Sequence, residues 1–357
     1  MASRAKFGVV NHRNREPSMN ELTRIAVDTS KSVFTLHGVD REGKVVVQRD
    51  LRRHQFEALF AKLPPLEVAM EACGGAHHWA RRLAAYGHRV RLIPPQYVKP
   101  FVKRGKTDRA DAEAISEAAA RPGMRFVPVK SAEQQASAMI LSVRDLLVRQ
   151  RTQLINALRG HAQEFGLVAA KKASGVAALL AAVREDEALP TAARSMLGYL
   201  GEQIARLDAE IAAIDARLMA QHKANAVSRL LAEIPGIGPI TALSLALRTD
   251  PTQFRSGRHF AAWIGLTPRE HSSGGKQRLG GISRAGNETL RRLLVVGATA
   301  VIRVAKPGSR SASAWLLELL KRRPRKLAAV ALANKMARIA WAMMTSGEAF
   351  RRPPATA

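Results

Sequence analysis

Three short apolar strands in succession, then helix and strand in alternation, restrict the first part of this chain to a mixed α/β fold. The stretch "LTRIAVDTS" (22–30) is a strand that ends at Asp28. "SVFTLHGVD" and "KVVVQRD" follow it across turn signals, of which "DREGK" is the clearest. "RRHQFEALFAKL" carries Phe56, Leu59, Phe60 and Leu63 on one helical face. "LEVAMEA" is a further strand ending at Glu71, "AHHWARRLAAYG" a helix closed by Gly87, and "RVRLIPP" a strand stopped by prolines. "TDRADAEAISEAAA" closes the run as a helix with Thr107 at its N-cap.

This order of elements is that of an RNase H-like domain, and four acids fall on it in turn. Asp28 and Glu71 sit at strand ends, and Asp108 and Asp111 sit on the helix after the last strand. Residues three apart on a helix share a face, so both aspartates can point at the strand ends. Carboxylates that converge repel one another unless a cation sits between them. Hard divalent ions with oxygen ligands, Mg²⁺ or Mn²⁺, suit such a set. Two of them would clamp the attacking and leaving oxygens of a phosphodiester. Lys106 and Arg109, beside the helix pair, would hold the phosphate backbone. An acid at a strand end, or "DRAD" on a solvated helix, is ordinary taken alone; the order of all four argues for a site.

Composition points the same way. Lys and Arg number 57 against 29 Asp and Glu, a formal net charge of +28 spread along the chain. A long polyanion, nucleic acid by default, is the natural partner. No uninterrupted apolar run long enough to span a bilayer and no basic amphipathic anchor is evident, so no membrane association is expected. Cys73, the single cysteine, excludes an internal disulfide and a cysteine-rich zinc site, and a reducing cytoplasm fits. Residues 1–21 read as a disordered leader, with Met19 a candidate for the natural start, and the tail from 346 to 357 reads as disordered.

The middle, residues 131–225, reads as helical. Ile140, Val143, Leu147 and Leu154 recur at three- and four-residue steps, with Gln150 interrupting. Ile204, Leu207, Ile211, Ile214 and Leu218 form a strict heptad seam. An antiparallel coiled-coil arm, a dimer contact or two helices of an ordinary bundle would all satisfy this. From residue 226 a third region begins with "IPGIGPITAL", which has the form of a helix-hairpin-helix turn. There Gly236 and Gly238 would let backbone approach a phosphate at a helix N-terminus, although a turn between two core helices looks similar. In "HSSGGKQRLGGISRAGN" a serine precedes Gly-Gly on what reads as a flexible loop. Lys276, Arg278, Arg284, Arg291 and Arg292 lie close by in sequence. A serine hydroxyl needs a base or a metal-bound phosphate to become a nucleophile, and composition alone would make this stretch a linker. His77 and His78 read as packing residues rather than ligands, because oxygen-ligated ions seldom need imidazole. Trp79, Trp263, Trp315 and Trp341 read as core, and "KRRPRK" (321–326) as a nucleic-acid contact or a solvated face.

Read together, "AVDTSK", "MEACGGAHHWAR", "VKRGKTDRADAEAI", "IPGIGPITAL" and "WIGLTPREHSSGGKQRLGGISRAGNETLRRLL" resemble the DEDD-serine transposases of the insertion sequence 110 family, over residues 22 to 345. The resemblance implies a RuvC-like domain (22–130), a helical coiled-coil region (131–225) and a mostly α-helical serine transposase domain with a helix-hairpin-helix (226–345). It makes Asp28, Glu71, Asp108 and Asp111 the metal-binding tetrad and Ser273 the nucleophile, with Ser272 its neighbouring rival. It further implies a phosphoserine link to DNA, a free 3′-OH, strand exchange and religation without nucleotide cofactors. Guidance by a bridge RNA encoded in the element, and dimers that synapse as tetramers sharing tetrad and serine between protomers, come with it. Two other functions remain open on the residues: a metal-only, junction-resolving endonuclease, and a non-catalytic nucleic-acid-binding protein.

Overall fold

The computed structural model describes residues 22–103, 105, 107–170, 174–307 and 313–351. The leader, Lys106 and the last residues of the tail lie outside the described residues. The chain divides into two compact units, one ending at Gln135 and one beginning at Ala136. The expected C-terminal domain, and the expected helical region apart from residues 131–135, fall together in the second.

The first unit contains β1 (Arg24–Thr29), β2 (Val33–Val39), β3 (Val45–Arg52), α1 (Arg53–Phe60), β4 (Glu67–Glu71), α2 (Ala76–Ala85), β5 (Arg89–Ile93), α3 (Pro95–Val98) and α4 (Asp108–Ala120). The sheet order is β3-β2-β1-β4-β5. The first three strands pair antiparallel, and β4 pairs parallel with both β1 and β5. This mixed sheet is consistent with an RNase H-like domain.

Its two faces are set by strand alternation, since successive side chains point to opposite sides. Ile25, Val27, Val68 and Met70 enter a core with Phe34, Phe56, Phe60 and Trp79. There Phe56 and Trp79 meet Phe34 edge-on, with centroids 4.7 and 5.1 Å away. Ala26 and Ala69 face the other way and pack against Ala114, Ile115, Ala118 and Ala119 of α4. Thr107 caps α4 by accepting the Ala110 N–H at 3.2 Å.

The second unit begins within α5 (Ala132–Gln163) and continues with α6 (Ser174–Glu185), α7 (Thr191–Ala224), α8 (Ala226–Leu231), α9 (Pro239–Arg248) and α10 (Gly257–Trp263). It then runs through β6 (Pro268–Glu270), β7 (Leu279–Ile282), α11 (Glu288–Val304), α12 (Ala314–Arg322) and α13 (Arg325–Ser346). The heptad of α7 is buried at Ile204, Ile211 and Leu218. Its partner seam on α5 differs from the expected one. Leu141 packs with Leu218, Arg144 pairs with Asp215, and Arg151 pairs with Asp208 at 2.7 Å. As one number rises by a heptad the other falls by one, so α5 and α7 run antiparallel. Val143, expected in the seam, is 40% exposed. Two seam positions of α5 are arginines, which a search for apolar periodicity cannot register.

Helices α8 to α13 enclose one core, including Leu231, Ile234, Phe260, Leu294, Ala298 and Met336. Helix α13 is long and apolar enough by composition to cross a membrane, unlike the expectation. However, Ala328, Ala329, Ala333, Met336, Ala337, Ala340 and Met343 are buried in this core, which accounts for its apolarity. Trp315, expected in the core, is 37% exposed.

Candidate active site

The alternation that builds the first core also aims two acids. Asp28 follows Val27 on β1, and Glu71 follows Met70 on the adjacent parallel strand, with Val27 in register with Met70. By the period of two, Asp28 shares the face of Ala26, and Glu71 that of Ala69, which is the face α4 covers. On α4, Ile115 and Ala118 are buried against this face. Asp108 and Asp111 extend the same stripe at three- and four-residue steps into the first turn. Negative charge there is also favoured by the helix dipole.

Electrostatics registers this convergence. Burial, then Asp111, Asp108 and Glu71, raise the Asp28 carboxyl from 3.8 to about 6. Burial, then Asp111, raises Glu71. Like charges spread apart unless a cation neutralises them. Among the described residues no group of three or more His, Cys, Asp or Glu side chains is close enough to hold one metal ion. The approach is electrostatic rather than coordinating. The donor set itself, oxygen from four carboxylates, fits a hard divalent ion. Imidazole does not join it: burial lowers the His77 pKa, and its Nδ1 accepts the Lys130 N–H at 3.2 Å. Arg109 is exposed and lies 3.9 Å from Asp50.

The serine stretch is a hairpin rather than a flexible loop. Strands β6 and β7 pair antiparallel, the His271 N–H reaches the Arg278 carbonyl at 2.9 Å, and Ser273 bridges to Lys276. Between them Gly274 and Gly275 have φ of +55° and +74°. Positive φ at both central residues is what a two-residue hairpin turn demands, and glycine adopts it without strain. Residues 271–280 are all exposed. The two serines differ in their bonding. The Ser272 hydroxyl donates to the Glu270 carboxylate at 2.9 Å and accepts the Arg278 N–H at 3.1 Å. Among the described residues the Ser273 hydroxyl has no hydrogen-bond partner.

The basic residues divide similarly. Lys276 and Arg278 project from the exposed hairpin. Arg284, also exposed, has φ of +56°, the one non-glycine in the left-handed region among the described residues. Arg291 and Arg292, expected to face phosphate, are each engaged by groups of the protein, although Arg292 stays exposed. Arg291 donates to the Ile264 and Ala285 carbonyls, each at 2.8 Å. Arg292 pairs at 2.9 Å with Asp145, which is itself buried. Both lie on α11, and Ile264 and Asp145, which engage them, are too distant in sequence for the pairing to be read there. Gly236 and Gly238 also part. A side chain at Gly236 would meet the Gly297 carbonyl at 2.9 Å, so its Cα packs against α11. Gly238 is exposed, with nothing within 4 Å, at the N-terminus of α9.

Acids converging on one face of a mixed sheet, and an exposed serine hairpin that carries Lys276 and Arg278, fit an enzyme that works on DNA. Comparison with known proteins gives its family. Residues 25–166 match the family model of DEDD transposases, and residues 228–313 match that of the transposase IS116/IS110/IS902 family. A Sinorhizobium fredii protein named as a transposase is 53% identical over 339 residues, 94% of this chain and 88% of that one. The Coxiella burnetii transposase for insertion sequence element IS1111A is 44% identical over 342 residues, 95% of this chain and 94% of its own. The Yersinia enterocolitica transposase for insertion sequence element IS1328 is 39% identical over 343 residues, 94% and 100% of the two chains. The chain belongs to the IS110 family of insertion-sequence transposases, enzymes that act on DNA.

Proposed function

We propose that this transposase is a site-specific recombinase that cuts and rejoins DNA through a covalent bond to Ser273. The observation that carries this reading is the contrast within the hairpin: Ser272 is held by Glu270 and Arg278, whereas the Ser273 hydroxyl, at an exposed turn, has no partner among the described residues. In the step proposed, the Ser273 Oγ bonds to phosphorus as the bond to the 3′-oxygen breaks. One proton leaves Oγ and one is gained by the departing oxygen, giving a phosphoserine and a free 3′-OH. A 3′-OH from another strand reverses the step, so rejoining needs no nucleotide cofactor. Lys276 and Arg278, on the same turn, would hold the flanking phosphates. Asp28, Glu71, Asp108 and Asp111 would hold Mg²⁺ or Mn²⁺, as two ions. When bound, such ions supply positive charge to the scissile phosphate and the oxygens around it. Guidance by an element-encoded bridge RNA, and a dimer that synapses as a tetramer, are parts of the proposal supported by family membership and by the cationic surface.

The carboxylates alone favour a second reading, hydrolysis by water as in a junction-resolving nuclease. Strand cleavage of labelled element-end DNA, with flanking RNA and Mg²⁺, separates the two. With serine as nucleophile, Ser273→Ala and Asp108→Ala should abolish cleavage and Ser272→Ala should retain it. Cleavage that survives in Ser273→Ala would establish the nuclease instead.

A further inference from the structure

A groove of about 1160 Å³ opens in the second unit, bounded by the start of α10, strand β7, α12 and α13. Its chemistry is uneven. Trp315 and Leu327 line it as apolar side chains that are 37% and 51% exposed. Arg258, Lys335 and Arg338 are its charged residues, and no Asp or Glu lines it. Among the described residues neither Arg258 nor Arg338 has an ion-pair partner. The Lys335 ammonium lies 4.4 Å from the centre of the Trp315 ring. A cation on a tryptophan face is attracted by the ring quadrupole, and it fixes the indole plane. Gly280 and Gly281 form part of the wall. A side chain would meet nothing within 4 Å at Gly281 and nothing nearer than 3.8 Å at Gly280, so a ligand can approach the strand backbone closely.

We propose that this groove takes an unpaired base of a DNA strand, stacked on Trp315, with its flanking phosphates on Arg258 and Arg338. An exposed indole among unneutralised cations suits a polyanion that carries flat apolar rings, and aromatic stacking with a cationic track is how proteins hold single strands. A paired base cannot reach a tryptophan face, so the base must be swung out of its duplex. A protein partner would leave the three cations unanswered unless it brought acids of its own. Strand β7 is one arm of the hairpin that carries Ser273. Placing the base beside the scissile phosphate therefore rests on the serine reading; the base site itself does not.

The test uses the full chain and a short single-stranded deoxyoligonucleotide carrying one 5-iododeoxyuridine. Photo-cross-linking followed by peptide mapping should place the adduct on the peptide containing Trp315. In equilibrium binding, Trp315→Ala should weaken the single strand about tenfold and leave duplex binding unchanged. Trp315→Phe should recover most of the loss. Arg258→Ala and Arg338→Ala, at exposed positions, should weaken the same oligonucleotide and flatten its salt dependence, which keeps the test open if Trp315→Ala does not fold. Equal affinity of Trp315→Ala and wild type, an adduct elsewhere, or equal loss on single strand and duplex would overturn the proposal. Tighter, Trp315-dependent binding of RNA of the same sequence would overturn the choice of DNA. Ser273→Ala should bind the oligonucleotide as wild type does even while cleavage is lost, so a failure of the serine reading is read separately.

Discussion

Asp28 carries the largest electrostatic load in the first unit. Its carboxyl titrates near 6 in the folded chain against 3.8 ordinarily, so the folded chain binds this proton more tightly. The stability it contributes is fully present below 3.8 and is lost as pH rises through about 6. His37 and His77, whose pKa values burial lowers, act in the opposite sense and lose stability as pH falls. The informative quantity is therefore a difference. In chelator-treated protein, acidifying from neutral to about pH 5 should raise the melting temperature of wild type relative to Asp28→Asn. Asp28→Asn should also melt above wild type at neutral pH while losing strand cleavage. Equal pH profiles for the two proteins would mean that neither burial nor the neighbouring carboxylates raise the Asp28 carboxyl. The convergence of Asp28 and Glu71 was legible from alternation alone, because Ile25, Val27, Val68 and Met70 mark the other face. The difference between Ser272 and Ser273 was not: it depends on Glu270, two residues away on the same side of a strand that the sequence read as a loop.

Close backbone contact governs the elements of the second unit. A side chain at Gly297 on α11 would lie 1.9 Å from the Gly236 carbonyl, with no flexible neighbour to yield. Gly297→Ala should cost about 3 kcal/mol in denaturant unfolding, because the helix must back away from the turn before α9. Gly238→Ala, at an open position, should change stability by less than about 0.5 kcal/mol and still weaken DNA binding several-fold if the α9 N-terminus meets phosphate. A Gly238→Ala protein with unaltered DNA affinity would assign that hairpin to packing. The same elements show why sequence patterns succeed unevenly. The seam of α7 was visible because every position in it is apolar. The seam of α5 was hidden because Arg144 and Arg151 occupy it, satisfied by Asp215 and Asp208 across the interface. Helix α6 lies in the stretch read only as helical overall, with no seam named for it, although Val176, Leu179 and Val183 pack with Leu158 and Leu197. Trp315 was read as core since its helix is apolar, yet it stands at the groove mouth.

Across the whole molecule, charge decides what the protein binds. A net +28 makes DNA affinity fall steeply with salt through counterion release. The cations do not contribute equally, however. Lys276→Ala and Arg278→Ala should each reduce the slope of log affinity against log salt by about 1. Arg292→Ala should leave that slope unchanged and destabilise the fold by about 2 kcal/mol, because buried Asp145 loses its ion-pair partner and keeps only the Thr289 hydroxyl. A reduced salt slope for Arg292→Ala with full stability would return that residue to the DNA surface. Whether a serine of the hairpin joins covalently to DNA can be seen by trapping the reaction on element-end DNA, digesting protein and DNA, and locating the nucleotide adduct by mass spectrometry. We expect a phosphodiester-linked nucleotide on Ser273 in wild type and in Ser272→Ala, and none in Ser273→Ala or Asp108→Ala. Cleaved DNA with no modified peptide, or a nucleotide on any other residue, would contradict the serine mechanism.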